Sequence, residues 1–277
     1  MTYCPYTDRE VSPSETNREH IIPLALGGMN GVEIPVCRTF NSEAGSKLDG
    51  ALANDFLVVT KRDRYAVKGH SDKEPVFVDR NSSDPETGKP LQVSLGQREG
   101  LRIYSPMDGR FLTDGGPKSV PIQIHLDVDI ALRFVAKVAL SSGYFVYGDS
   151  FRSNVKHQEF RAIMNHRPPD LGEAIYEMEA RVDDRLSTDM GEQLQVFRSM
   201  CRAVEPYSLI GLVPGPGRFA AYVGILGDYM GMISVLADVS TFPNHDTFRW
   251  GHVIVLNKQG PTRLSFRSAL EKMVGLA

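Results

Sequence analysis

Cysteine is scarce in this chain, and so is any excess of charge. Cys4, Cys37 and Cys201 are the only cysteines in 277 residues. A set that is odd and sparse cannot make a disulfide framework, so the fold must rest on an apolar core, and a reducing, cytoplasmic setting is expected. The formal net charge is -3 and the pI about 6.2. This excludes a uniformly basic coat for nucleic acid but leaves room for a local site of the opposite sign. The opening residues MTYCPYTDRE lack the basic-then-apolar pattern of a secretory leader. Internal repeats and low-complexity tracts are absent as well.

Long apolar runs are also few. The stretch from Phe219 to Ala237 carries Asp228 near its middle and Gly224, Gly227 and Gly231 around it. A central carboxylate costs a helical span about 2.5–3.5 kcal/mol on insertion scales. Two apolar strands meeting at Gly227-Asp228 explain the same residues without that cost, so a hairpin is expected and no membrane among the partners.

What remains is the composition of a globular protein, with 42% hydrophobic and 23% charged residues. The pattern along the chain predicts an α+β fold: a compact module over residues 1–60 and a larger mixed region over 61–277 rich in antiparallel strands. Strands are expected at Phe56–Thr60 (FLVVT), Leu91–Leu95, Leu101–Tyr104 and Ile122–Leu126, with turns at Pro106–Gly109 and Asp114–Pro117. Apolar residues at helical spacing predict a helix over Asp127–Ser142, stopped by Gly143, with Arg133 and Lys137 on a solvated face. A second helix is expected over Ser153–Asn165, ended by Arg167-Pro168-Pro169. Beyond Gln193 the strings QLQVFRSMCRAV, FAAYVGIL, MISVLADV and HVIVLN read as strands, with LVPGPGR as a connecting loop. A short helix over Ser265–Val274 closes the chain.

One segment carries chemistry. Glu19-His20-Ile21-Ile22-Pro23 is followed by Gly27-Gly28, then Cys37-Arg38-Thr39-Phe40-Asn41, then Gly45 and Asp49. An acidic residue beside a histidine offers a hard oxygen ligand next to an imidazole, which can take a proton from water. The proline and paired glycines turn the chain sharply. An asparagine beyond the turn can then approach the carboxylate and complete an oxygen-rich divalent site.

This segment resembles the HNH nuclease motif, in the branch that reads Cys-x-x-Cys, Glu-His-Ile-Ile-Pro, Gly-Gly and Cys-x-x-Cys-Asn. The resemblance covers about the first 56 residues. It implies a two-stranded hairpin packed on a helix around one catalytic metal, and hydrolysis of phosphodiester bonds, in DNA rather than RNA. Defence against foreign DNA is the role that family habit suggests. Carried over, His20 is the general base, and Glu19 and Asn41 are ligands of Mg²⁺ or Mn²⁺, which suit oxygen donors.

Two departures stand out. Thr7 and Phe40 occupy the places of the second thiolates, so Cys4 and Cys37 are a remnant pair, read as buried apolar residues. No structural Zn²⁺ is expected on two thiolates. The middle asparagine of the signature has no clean match, with Asn30 or Glu33 nearest its place. A module that binds nucleic acid or a protein partner without cleaving is therefore the alternative. Asp49 is read as a helix-surface carboxylate, and His70, His125, His245 and His252 are given no chemistry. Over residues 1–80, ten Lys and Arg stand against twelve Asp and Glu. The best local candidate for a phosphate-binding patch is Lys61, Arg62, Arg64 and Lys68, whose other reading is a charged strand edge.

Overall fold

The computed structural model describes residues 1–42, 46–98, 100–112, 117, 119–124, 126–166, 175, 177–188, 192–242, 248 and 250–274. Gly45, the turn residues 114–116, the helix stop at Arg167-Pro168-Pro169, His125 and His245 lie outside the described residues. The fold is α+β, with antiparallel sheets throughout.

The chain opens with two short strands, β1 (Thr2–Cys4) and β2 (Arg9–Val11), followed by the hairpin β3 (Thr16–His20) and β4 (Glu33–Cys37). Three helices follow: α1 (Arg38–Phe40), α2 (Ser46–Ala53) and α3 (Phe56–Arg64). The strand expected at Phe56–Thr60 is therefore the start of a helix. Asp55 decides it, since its side chain accepts from the backbone N–H groups of Leu57 and Val58 and so caps the first turn. Val58, Val59 and Arg62 then fall on one buried face. A module boundary at residue 60 would cut this helix in its middle.

A four-stranded sheet comes next, made of β5 (Phe77–Ser83), β6 (Pro90–Gly96), β7 (Gly100–Ser105) and β8 (Arg110–Phe111). Its two central strands match the expected ones. Residues 122–124 form no strand, and Ile122 and Ile124 are exposed, so their alternation has no sheet to join.

The central helix α4 runs over Val128–Tyr147, through Gly143 and on to Gly148. Gly143 serves close packing here rather than termination. A Cβ on it would lie 2.3 Å from the Phe151 ring, so only glycine admits that ring. Phe151 belongs to α5 (Asp149–Asn154), and α6 (Gln158–Asn165) follows after a break at residues 155–157, so the single helix expected over Ser153–Asn165 is two. The α4 helix is long and apolar enough to cross a membrane by length and composition, but most of that stretch is buried inside the protein.

The largest sheet starts with β9 (Arg181–Asp184), which α7 (Glu192–Ala203) separates along the chain from its other strands. It contains β10 (Ser208–Gly215), β11 (Arg218–Ile225), β12 (Asp228–Leu236), β13 (His252–Asn257) and β14 (Gly260–Ser265), and α8 (Phe266–Val274) ends the described chain. The spatial order is β14-β13-β10-β11-β12-β9. The run Phe219–Ala237 is the expected hairpin, but its turn is Leu226-Gly227, both at positive φ, and Asp228 opens the second strand opposite Ile225. Residues read as the strand QLQVFRSMCRAV form α7 instead. Phe197, Met200, Cys201 and Val204 recur at helical spacing and cover one face of the sheet.

That sheet is buried on both sides. Leu209, Tyr222, Val253 and Val255 meet α7 and α8. Ile210, Leu212, Ala221, Val223, Ile254 and Leu256 face the opposite way, into the main core with α4. The same main core takes in Cys4, Tyr6, Ile21, Ile22, Leu26, Val36, Leu52 and Val58. The hairpin module thus shares its apolar interior with α4 and the large sheet.

Candidate active site

The β3–β4 pairing is antiparallel, with His20 opposite Glu33 and Glu19 opposite Ile34. Its connection is built by Ile21-Ile22-Pro23 and the paired glycines. Gly27 adopts φ 77°, and a Cβ on Gly28 would lie 1.6 Å from the Ile22 carbonyl oxygen, so the turn can close only with glycine. Ser208 Oγ of β10 donates to the Leu26 carbonyl at 2.7 Å and accepts from the Leu226 N–H at 3.0 Å, pinning this turn to the large sheet.

Side chains alternate along β3, so the neighbours Glu19 and His20 leave the strand on opposite sides. On the His20 side, Nε2 lies 3.0 Å from Asn30 Oδ1 and 3.1 Å from Glu33 Oε1. Two acceptors at one ring nitrogen match the tautomer that carries its proton on Nε2, in which the Nδ1 lone pair is free. The His20 side chain is 18% exposed. Arg18 projects from the same side with its Nε 3.6 Å from Glu33 Oε2 and is 81% exposed. The His70 ring centroid lies 6.0 Å from that of His20. Both residues near the place of the missing middle asparagine thus converge on the expected base. Sequence reasoning passed over Arg18 and gave His70 no role. An arginine two places before the histidine on a strand was the available signal, because period 2 puts both on one side.

The Glu19 side is different. Lys137, from α4, donates to Glu19 Oε1 at 2.6 Å and to Asp49 Oδ2 at 2.6 Å. The Lys137 side chain is 1% exposed, so it is not part of a solvated helix face, and Asp49 is not a free surface carboxylate. Helix α4 turns this position inward because it is packed almost all round. Burial pushes the Asp49 carboxyl up to about 6, against the opposing pull of Lys137. Burial also works against the Lys137 charge, but Tyr6, Asp49 and Glu19 around it hold its pKa above the ordinary lysine value.

Asn41 follows α1 directly, and its Nδ2 donates to Asn17 Oδ1 at 3.3 Å. Asn17 shares the Glu19 side of β3. Glu19 and Asn41 therefore come to the same side of the hairpin, while His20 faces away from both. Among the described residues, no group of three His, Cys, Asp or Glu is placed to hold a metal ion. Cys4 is fully buried, and its sulfur accepts from the Cys37 N–H at 3.2 Å. The Phe40 ring packs on Tyr6 at 5.2 Å, where a second knuckle thiolate would have stood.

The basic cluster does not present one free face. Lys61 bridges Glu205 at 3.2 Å and Asp228 at 2.7 Å. Arg62 is buried and donates to the Ala53 carbonyl, and Lys68 pairs with Asp72 and Glu74. Arg64 is exposed beside the Tyr65 ring. A cleft of about 390 Å³ opens beside the paired glycines, where Tyr65, Pro206, Tyr207 and Lys258 line it, but Glu19, His20 and Asn41 do not.

A hairpin, a turn closed by Gly-Gly and a following helix, with a histidine and an acid side by side on the first strand, define a ββα module of the nuclease type. Residues 4–57 match the HNH endonuclease family model, so this N-terminal part of the chain is a member of the HNH endonuclease family. No curated protein matches the chain, and neither does any solved structure.

Proposed function

We propose that the N-terminal module hydrolyses phosphodiester bonds in nucleic acid, with DNA as the substrate and His20 as the general base. The observation that carries this reading is the seating of His20. Asn30 and Glu33 orient its ring through Nε2, which leaves Nδ1 to take a proton from an attacking water. The water oxygen forms the new bond to phosphorus, the ester oxygen leaves, and His20 returns its proton to the product side. Arg18, on the same side of the strand and exposed, supplies a guanidinium for a phosphate oxygen. The remaining chain would position the substrate, with Arg64 the member of the basic cluster best exposed to meet it.

HNH nucleases generally use a divalent metal ion, and Mg²⁺ or Mn²⁺ on Glu19 and Asn41 is what the resemblance implies. The donors do not fit that ion as they stand. One Glu19 oxygen is engaged by a buried ammonium at 2.6 Å, so a divalent ion on that carboxylate would sit against a positive charge in a poorly screening interior. The same engagement of Glu19 favours a second reading, a module that binds nucleic acid or a protein partner without cutting it.

Plasmid nicking in Mg²⁺, in Mn²⁺ and in EDTA separates the two. Cleavage by the wild type that disappears in His20→Ala is expected. A folded wild type that cuts nothing under any condition, yet retards DNA in a gel, replaces the nuclease with the binding module.

A further inference from the structure

The carboxylate that the family assigns to a metal has a different occupant here. Lys137 Nζ lies between Glu19 on the hairpin strand β3 and Asp49 on helix α2, at 2.6 Å from an oxygen of each. A hairpin packed on a helix around a cation is the family's architecture, and here the cation is an ammonium delivered by α4. We propose that Lys137 is the resident cation of this HNH module, its ammonium filling the position between hairpin and helix where the family holds a divalent metal.

Three observations carry the inference. The Lys137 side chain is 1% exposed, and α4 is the helix at the centre of the main core, so the ammonium cannot swing into solvent without unpacking that core. One ammonium already serves both carboxylates, and a divalent ion on Glu19 would sit against that ammonium in a medium that screens poorly. Finally, Asp49 Oδ1 is buried and finds no hydrogen-bond partner among the described residues. Once the lysine is shortened, Glu19 and both Asp49 oxygens make a hard, oxygen-only donor set of the kind Mg²⁺ and Mn²⁺ prefer. The C-terminal region is then part of the HNH site, since it supplies the charge that holds hairpin and helix together. The inference rests on the nuclease-family reading for the metal's place, not on cleavage.

The test counts bound Mn²⁺ by electron paramagnetic resonance on the full chain. The wild type is expected to show no site that depends on Glu19. Lys137→Ala is expected to gain one Mn²⁺ per chain, at least about tenfold tighter than any wild-type binding, and Lys137→Ala with Glu19→Gln to lose it again. A wild type that binds one Mn²⁺, removed by Glu19→Gln, overturns the proposal, as does a folded Lys137→Ala that gains nothing. Should Lys137→Ala fold only with Mn²⁺ present, seen by circular dichroism, the vacated site is demonstrated. If it folds under neither condition, the wild-type titration and its Glu19→Gln control decide. Cleavage enters none of these arms, so loss of the nuclease reading is recognised separately in the nicking assay.

Discussion

Glu19 and His20 are neighbours in the chain, yet they live in different environments. His20 is on the accessible side of β3, with its ring fixed by Asn30 and Glu33 and Arg18 beside it. Glu19, one residue earlier, is clamped to a lysine from the middle of α4. A strand's alternation separates the two by half a turn, and tertiary packing does the rest. On the function proposed above, one side of the hairpin serves proton transfer, while the other holds the module to the rest of the chain through Lys137. Substitutions on the two sides should therefore be read out in different assays.

The largest expected effect is on the His20 side. His20→Ala should lower cleavage by on the order of 10²–10⁴-fold, the usual contribution of a positioned general base. Its denaturation midpoint should stay near that of the wild type, because the ring lies at the edge of the core. A variant that loses stability as well as activity would mean that His20 is a structural residue and the two sides are not functionally distinct.

On the other side the order reverses. Lys137→Met keeps much of the side-chain volume but leaves two carboxylates buried without their cation, at a cost of about 3–5 kcal/mol in chemical denaturation. Adding Glu19→Gln and Asp49→Asn to it should recover most of that loss, since an apolar or neutral replacement of a buried ion cluster is often tolerated. A triple variant no more stable than Lys137→Met would show that the lysine stem, not its charge, is what the core needs.

The same cluster gives a pH dependence of definite sign. Asp49 in the folded protein has its pKa pushed up to about 6 by burial, above its unfolded value near 3.8. The native state therefore binds more protons than the unfolded state between those limits, and stability falls as pH rises through them. A shift of about two units corresponds to roughly 3 kcal/mol at most. Urea midpoints at pH 4 and pH 7, compared between wild type and Asp49→Asn, should show the wild type losing ground at the higher pH. Equal pH profiles would mean that Asp49 stays ionised throughout, with Lys137 as a stronger partner than its burial suggests.

How much of this was legible in the sequence follows the range of the interactions. The Glu-His-Ile-Ile-Pro and Gly-Gly strings are contiguous in the chain, so the resemblance that implies the hairpin and its candidate residues could be read from them, although Ser208 of β10 also pins the turn. The apolar strands β11, β12 and β13 were legible for the same reason, as continuous runs in a sheet buried on both faces. Lys137 was not legible. It reaches Glu19 across 118 positions, and on its own helix nothing distinguishes it from a solvated lysine. Asn30 and Glu33 were ambiguous because the register that puts Glu33 opposite His20 depends on the turn between them. The segments FLVVT and QLQVFRSMCRAV were misread because their β-branched and aromatic residues suit strands, while the Asp55 cap and the fit of α7 to the sheet override that preference.

The smallest predicted effect sharpens the comparison most finely, because it concerns a residue on the open side that is almost free of the fold. Arg18 is 81% exposed and its contact with Glu33 is long, at 3.6 Å, so Arg18→Ala should change stability by less than about 0.5 kcal/mol. If the His20 side meets a phosphate backbone, removing this guanidinium should weaken nucleic-acid binding about equally for all sequences and reduce the slope of log affinity against log salt by about one. Fluorescence anisotropy over a salt series measures that slope. Lys137→Met, on the other side of the same strand, should leave it unchanged wherever the variant is folded. A slope that moves with Lys137 and not with Arg18 would place the nucleic acid on the wrong side of β3, and the assignment of the two sides would have to be exchanged.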